Sequence, residues 1–184
     1  EFGDLYPEIR VELILNDDQV DIGMRAADVA IWTREPEQAD LIRRSLFESR
    51  VRAFASAQYL RKHGTPKTLA ELDQHRIIAY TGIPAQHLDA MSWIEKAGRE
   101  GAAPREAALR VNSVVAIKYA IQAGIGIGMI PDYMSDEQSE LVPVLAEFEQ
   151  PSLNLIFAYA EELKASKKVQ LLRDFLVSKI SRFR

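Results

Sequence analysis

The run Leu109-Arg110-Val111-Asn112-Ser113-Val114-Val115-Ala116-Ile117-Lys118-Tyr119-Ala120-Ile121-Gln122-Ala123-Gly124-Ile125-Gly126-Ile127-Gly128-Met129-Ile130-Pro131 decides the architecture. It opens with the end of a strand, Ala108 to Val111. Asn112 or Ser113 then caps a helix, because a short polar side chain there accepts an N–H group that the first turn leaves unpaired. The helix, Val114 to Ala123, is apolar, and Gly124 stops it. Ile125 to Ile130 is apolar on both faces, as expected of a buried parallel strand. Strand, helix and buried strand make a βαβ unit and predict a mainly parallel sheet.

The same alternation extends both ways. Toward the N-terminus, strands are predicted at Val11–Leu15, Asp28–Trp32, Leu41–Glu48, Val51–Ser56 and Ile77–Tyr80. Between them fall a helix beginning at Asp17 or Asp18 and carrying Val20, Ile22 and Met24, and a polar loop from Thr33 to Asp40. A short helix, Gln58 to His63, closes at Gly64, and a helical turn covers Leu69–Leu72. Gly98 to Pro104 reads as an irregular loop. Toward the C-terminus, strands are predicted at Leu141–Leu145 and Leu153–Tyr159. A final helix, Lys167 to Arg182, sets Val169, Leu172, Leu176 and Ile180 on one face.

Composition narrows the function. The chain has 184 residues, 47% of them hydrophobic, enough for one domain or two small lobes with a proper core. Its 23 Lys and Arg against 27 Asp and Glu leave a net charge of -4. An acidic balance is unsuited to duplex DNA, whose phosphates call for a basic face. No apolar run approaches the roughly 20 residues that span a bilayer, and no signal-peptide pattern is present. With 0 cysteines there is no disulfide, thiolate metal site or Cys nucleophile.

The candidate chemical motifs are mostly structural. Gly124, Gly126 and Gly128 resemble a phosphate loop, but such a loop follows a strand and opens a helix, and here a helix ends and a strand begins. The glycines therefore read as a C-cap and close backbone packing. His63, His75 and His87 form no ligand spacing, so no metal and no cofactor is expected. There is no G-x-S-x-G elbow for a serine nucleophile. Asp17-Asp18, Glu37 with Asp40, and Glu161-Glu162 read as caps and solvated faces. Arg43-Arg44, Arg50, Arg52 and Arg61-Lys62 are a basic concentration, read as solvated surface, with the pairing of one of them to a ligand carboxylate as the other reading. Asn112-Ser113 carries two readings as well: a cap alone, or a site where unpaired helix N–H groups meet an anionic or carbonyl ligand group. Tyr80-Thr81-Gly82 and Trp32-Thr33 are likewise strand ends, where open α/β sheets collect ligands.

Six stretches in order, Tyr6–Leu13, Val20–Ile31, Ala55–Pro66, Leu109–Ser113, Ala123–Tyr133 and Leu141–Leu145, resemble the regulatory domain of LysR-type transcriptional regulators. The resemblance implies an α/β fold like the type-2 periplasmic binding proteins, with two Rossmann-like lobes joined by crossing strands and an effector cleft between them. Lobe I would be residues 1–52 and about 132–184, and lobe II about 53–131, with crossings near Arg52-Ala53 and Ile130-Pro131. The matching cleft positions are Trp32, Thr33, Ser56, Tyr80, Thr81, Asn112, Ser113, Ile130 and Pro131. The family's winged helix-turn-helix and linker helix are not in this sequence, which begins near the end of the family's first regulatory-domain helix, at Phe2 to Tyr6.

The expected function is therefore effector sensing in a cytoplasmic regulator, not catalysis and not a membrane role. A small molecule, such as a carboxylate, would be the effector. DNA would be reached only through the absent N-terminal domain, and the regulatory domains would assemble as a homodimer or tetramer. The alternative is a solute-binding protein of an uptake system with the same fold.

Overall fold

The computed structural model describes residues 1–15, 27–33, 40–81, 89–135 and 140–180. In chain order its elements are α1 (Phe2–Leu5), β1 (Val29–Trp32), β2 (Leu41–Ser56), α2 (Ala57–His63), β3 (Ile77–Tyr80), α3 (Asp89–Lys96), β4 (Leu109–Val111), α4 (Val114–Gln122), β5 (Ile127–Pro131), β6 (Leu141–Pro143), β7 (Ser152–Ala160) and α5 (Lys167–Ile180), with a 3-10 turn at Ala70–Gln74. The chain divides into two compact units, Glu1–Glu48 with Asn154–Arg184, and Ser49–Leu153.

In the first unit β1 runs antiparallel to β7, Val29 opposite Tyr159 and Trp32 opposite Ile156, and β7 neighbours β2. The predicted face of α5 does pack here: Val169 and Ile180 are buried with Leu46, Phe157 and Tyr159, and Leu172 and Leu176 lie against them. Phe2 of α1 meets Phe175 of α5 edge-on at 5.2 Å.

The second unit holds the βαβ arrangement. β3 is parallel to both β4 and β5, pairing Ile78 with Leu109 and Ile77 with Ile127. β5 runs antiparallel to β2, Val51 opposite Pro131 and Phe54 opposite Gly128, and β6 lies on the other side of β2. Ile117 and Ile121 of α4 are fully buried with Met129 and Ile130 of β5. Helix and strand approach so closely that a Cβ on Gly128 would stand 3.1 Å from both isoleucines. Arg105, only 4% exposed, ties this unit together. Its Nη1 donates to the carbonyls of Ile94 and Ala97, its Nη2 to that of Leu69, and its Nε to Asp73 Oδ1 at 2.7 Å. One guanidinium thereby satisfies carbonyls at the C-terminus of α3 that the helix itself cannot pair.

The structure differs from expectation in several respects. Leu41 to Ser56 is one 16-residue strand rather than two, since Glu48-Ser49-Arg50 holds no glycine or proline to turn the chain. Val11 to Leu15 forms no strand. A strand exists through its ladder partners, and no strand among the described residues pairs with this segment. Parallel pairing is confined, among the described residues, to β3 with β4 and β5. The second unit runs on to Leu153. Val144, Leu145 and Leu153 belong to the second unit's core. The helix expected from Asp18 to Ala26 lies outside the described residues, as do Asp17, Glu37, Gly82 and His87.

Candidate effector site

Parallel pairing of β3, β4 and β5 brings their carboxyl ends to one edge of the second unit. Tyr80 stands opposite Val111, and Thr81 extends the ladder by donating its N–H to the Val111 carbonyl at 2.9 Å. Asn112 and Ser113 follow β4 directly, and Ile130-Pro131 ends β5. Six of the expected positions thus collect at one end of one sheet, where open α/β folds place their ligands.

The chemistry of that edge is set by α4. Ser113 has the extended backbone of an N-cap, φ -142 and ψ 121, and its Oγ accepts from Ala116 N–H at a long 3.4 Å. Ile117 N–H bonds to the Ser113 carbonyl, so the first turn leaves the Val114 and Val115 N–H groups with no intrahelical acceptor. Those donors, with the positive end of the helix dipole, favour an anionic or carbonyl group. Asn112 and Thr81 are exposed, whereas Ile130 and Pro131 are buried. Tyr80, 5% exposed, packs in the core and contributes aromatic bulk rather than open surface.

The remaining positions lie elsewhere. Ser56 ends β2, beyond Val51, the residue that pairs with Pro131. Five residue steps separate Ser56 from Val51, about 16 Å at the usual rise. Its Oγ accepts from Tyr59 N–H at 3.2 Å, so it is the cap of α2 and not a neighbour of the other six. Trp32 and Thr33 belong to the first unit, where Trp32 ends β1 half-buried.

Sequence reasoning passed over Asp132 and Ser49. Ser49 Oγ donates to Asp132 Oδ1 at 3.0 Å, and Arg52 Nε stands 3.8 Å from Asp132 Oδ2, so this carboxylate fastens the end of β5 to β2. Asp132 follows the quoted Ile130-Pro131 pair directly, but one carboxylate after a proline carries no distinctive signal. Burial, with the Asp132 charge adding, raises the phenol pKa of neighbouring Tyr133. Among the described residues no group of His, Asp and Glu is placed to hold a metal ion. No helix among them is long and apolar enough to cross a membrane.

The LysR substrate binding domain family model matches residues 1–181. The chain is 28% identical over 184 residues to the HTH-type transcriptional regulator CrgA of Neisseria meningitidis, covering 98% of this chain and 60% of that protein. It is 28% identical over 185 residues to an HTH-type transcriptional regulator of Xanthomonas campestris, covering 98% of this chain and 54% of that one. The chain therefore spans little more than half the length of these curated relatives. Among solved structures, the CrgA regulatory domain superposes with a TM-score of 0.81 at 26% identity, covering 97% of this chain and 87% of that one. The full-length Vibrio cholerae virulence activator AphB shares the fold, with a TM-score of 0.72 at 24% identity over 97% of this chain and 60% of that one.

Proposed function

From the premise that the chain belongs to the LysR substrate-binding-domain family, we propose that it is the sensing part of a cytoplasmic transcriptional regulator and binds a small carboxylate or carbonyl compound. The observation that carries this reading is the gathering of Thr81, Asn112, Ser113, Ile130 and Pro131, with Tyr80 beneath, around the N-terminus of α4. Thr81 and Asn112 offer polar groups, α4 offers N–H donors, and Ile130-Pro131 offers an apolar border. Trp32 and Thr33, the other positions of the family pattern, belong to the first unit. Ser56 is left with its capping role.

Relatives that are transcriptional regulators favour this reading over delivery of a solute to a transporter, and over catalysis. DNA would be engaged by a helix-turn-helix domain outside this sequence. A bound effector would act only by favouring one arrangement of the regulator over another.

Two substitutions test the site. Asn112→Ala removes an exposed side chain that caps nothing. It should leave the melting temperature unchanged while weakening a stabilising small carboxylate about tenfold, the worth of one hydrogen bond to a charged group. Ser113→Ala removes the cap and should lower stability by about 1 kcal/mol in addition to weakening binding. If calorimetry finds the same affinity in both variants as in the parent chain, the edge of β3–β5 is not the effector site.

We further propose assembly with a second copy through the outward face of α4. Val115 and Tyr119 are 49% and 66% exposed there, an apolar pair four residues apart on a covering helix. Lys118 and Gln122, the polar residues of this helix, are half-buried. Val11 to Leu15 in the first unit offers the other apolar surface, with Leu13 and Leu15 78% and 83% exposed.

A further inference from the structure

Arg50 and Arg52 belong to a basic run that the effector reading leaves unused, yet they line a cavity of about 300 Å³ in the second unit with Ala146, Phe148, Glu149 and Gln150. Residues two apart on a strand share a face. Both guanidinium groups therefore leave β2 on the face opposite Val51 and Ala53, which are fully buried in the core.

The charges around this cavity are scarcely engaged. Among the described residues the Arg52 guanidinium has the 3.8 Å approach of its Nε to Asp132 as its one ion pair. The Arg50 guanidinium and the Glu149 carboxylate make no hydrogen bond or ion pair to a described residue; of Arg50 only the backbone carbonyl is engaged by a side chain, accepting from Ser49 Oγ at 3.3 Å. Two cations and a carboxylate thus share one concave surface without closing on each other. Gln150 is already committed: its Oε1 accepts from Ala53 N–H at 2.8 Å and its Nε2 donates to the Leu145 carbonyl at 2.7 Å. That amide holds the Ala146–Gln150 segment against β2 and leaves ligand chemistry to its neighbours. Phe148, half-buried against the core, supplies the apolar surface.

We propose that this cavity is a second small-molecule site, for a zwitterion of the α-amino-acid type. Its carboxylate bridges Arg50 and Arg52, its ammonium group meets Glu149, and its apolar side chain lies on Phe148. Paired guanidinium groups suit a carboxylate because their N–H donors match its two oxygens. A simple anion would leave Glu149 facing it, and a simple cation would face two arginines, whereas a zwitterion answers both. The volume lies at the lower end of small-molecule sites, about 300–1,000 Å³, which sets the size class. None of the lining residues is among those of the effector site, so the two can succeed or fail separately.

Amide-resolved NMR of the whole chain tests this with three probes: L-phenylalanine, 3-phenylpropionate, which lacks the ammonium group, and 2-phenylethylamine, which lacks the carboxylate. L-phenylalanine should give saturable shifts at Arg50, Arg52 and Ala146 to Gln150, and should bind more tightly than either of the others. Arg50→Ala should weaken L-phenylalanine and 3-phenylpropionate about tenfold each. Glu149→Gln should weaken L-phenylalanine and 2-phenylethylamine, the two probes with an ammonium group, and leave 3-phenylpropionate no weaker. Both positions are exposed, and the unperturbed amides of each variant report that its fold is intact. Absence of saturable shifts at these residues overturns the proposal, as do shifts confined to Thr81, Asn112 and Ser113. Equal affinity for L-phenylalanine and 3-phenylpropionate, unaltered by Glu149→Gln, overturns the zwitterion assignment.

Discussion

At Gly126 a Cβ would stand 2.3 Å from the carbonyl oxygen of Arg76, a backbone atom that cannot swing aside. Gly126→Ala must therefore push β5 away from the segment that leads into β3, and urea unfolding should show a loss of about 1–3 kcal/mol. His75 gives a pH-dependent counterpart. The Tyr59 hydroxyl accepts Arg76 N–H at 2.9 Å and shares a hydrogen bond of 3.2 Å with His75 Nδ1. Burial lowers the imidazole pKa, and the His63 charge adds to that while Glu71 opposes it. A group with a depressed folded pKa contributes stability above its unfolded value, about 6.5, and loses it as pH falls from there through the folded value. The denaturation midpoint should drop on acidification below about pH 6.5, and His75→Phe should flatten that part of the profile. An unchanged profile in the variant would remove His75 from the account. The close packing of Gly126 and Gly128 was legible in the sequence, because glycines inside an apolar strand signal a near approach. The role of Arg105 was not, since its partners come from two separate segments, Leu69 to Asp73 and the end of α3, that only the fold brings together.

Among the elements, α4 was the most legible. Its Ser113 cap, its buried Ile117 and Ile121, and its stop at Gly124, where φ is +73, all follow from local sequence chemistry. The outward face was less so, because the sequence marks Lys118 and Gln122 as polar without showing that Val115 and Tyr119 take the exposed positions. That exposure yields a test of assembly. Tyr119→Glu places a charge on the proposed contact while leaving the core side of α4 untouched. Sedimentation at several concentrations should show self-association in the parent chain and less of it in the variant, with the same melting temperature. A parent chain that stays monomeric at tens of micromolar, well above the dissociation constant of about 1 μM or less expected of a standard interface, argues against the contact. Strands were legible in proportion to their neighbours. β5, central in its sheet, lies within two residues of its predicted bounds, whereas Val11 to Leu15 has strand-like residues and no described strand to pair with. In the run from Leu41 to Ser56 the polar Glu48-Ser49-Arg50 lies within a single continuous strand.

For the molecule as a whole, the α/β class and the family could be read before any coordinates, since six short stretches keep their order and spacing along the chain. The packing of the late segments is less legible. Val144, Leu145 and Leu153 look like ordinary late-strand residues, and only their packing in the core of the second unit shows where they belong. The candidate site followed the same rule: positions at the ends of parallel strands were found together, and Ser56, at the far end of an antiparallel strand, was not. The central claim is that a small effector binds at the carboxyl edge of β3, β4 and β5. A thermal-shift screen of small metabolites rich in carboxylates would supply stabilising ligands, since a ligand at about 100 times its dissociation constant adds about 2.7 kcal/mol. Mapping the amides each stabiliser perturbs is then the most direct test. The account predicts that the shifts centre on Thr81, on Asn112 to Ala116 and on Ile130. A stabilising ligand that leaves those amides unmoved while perturbing others would contradict it.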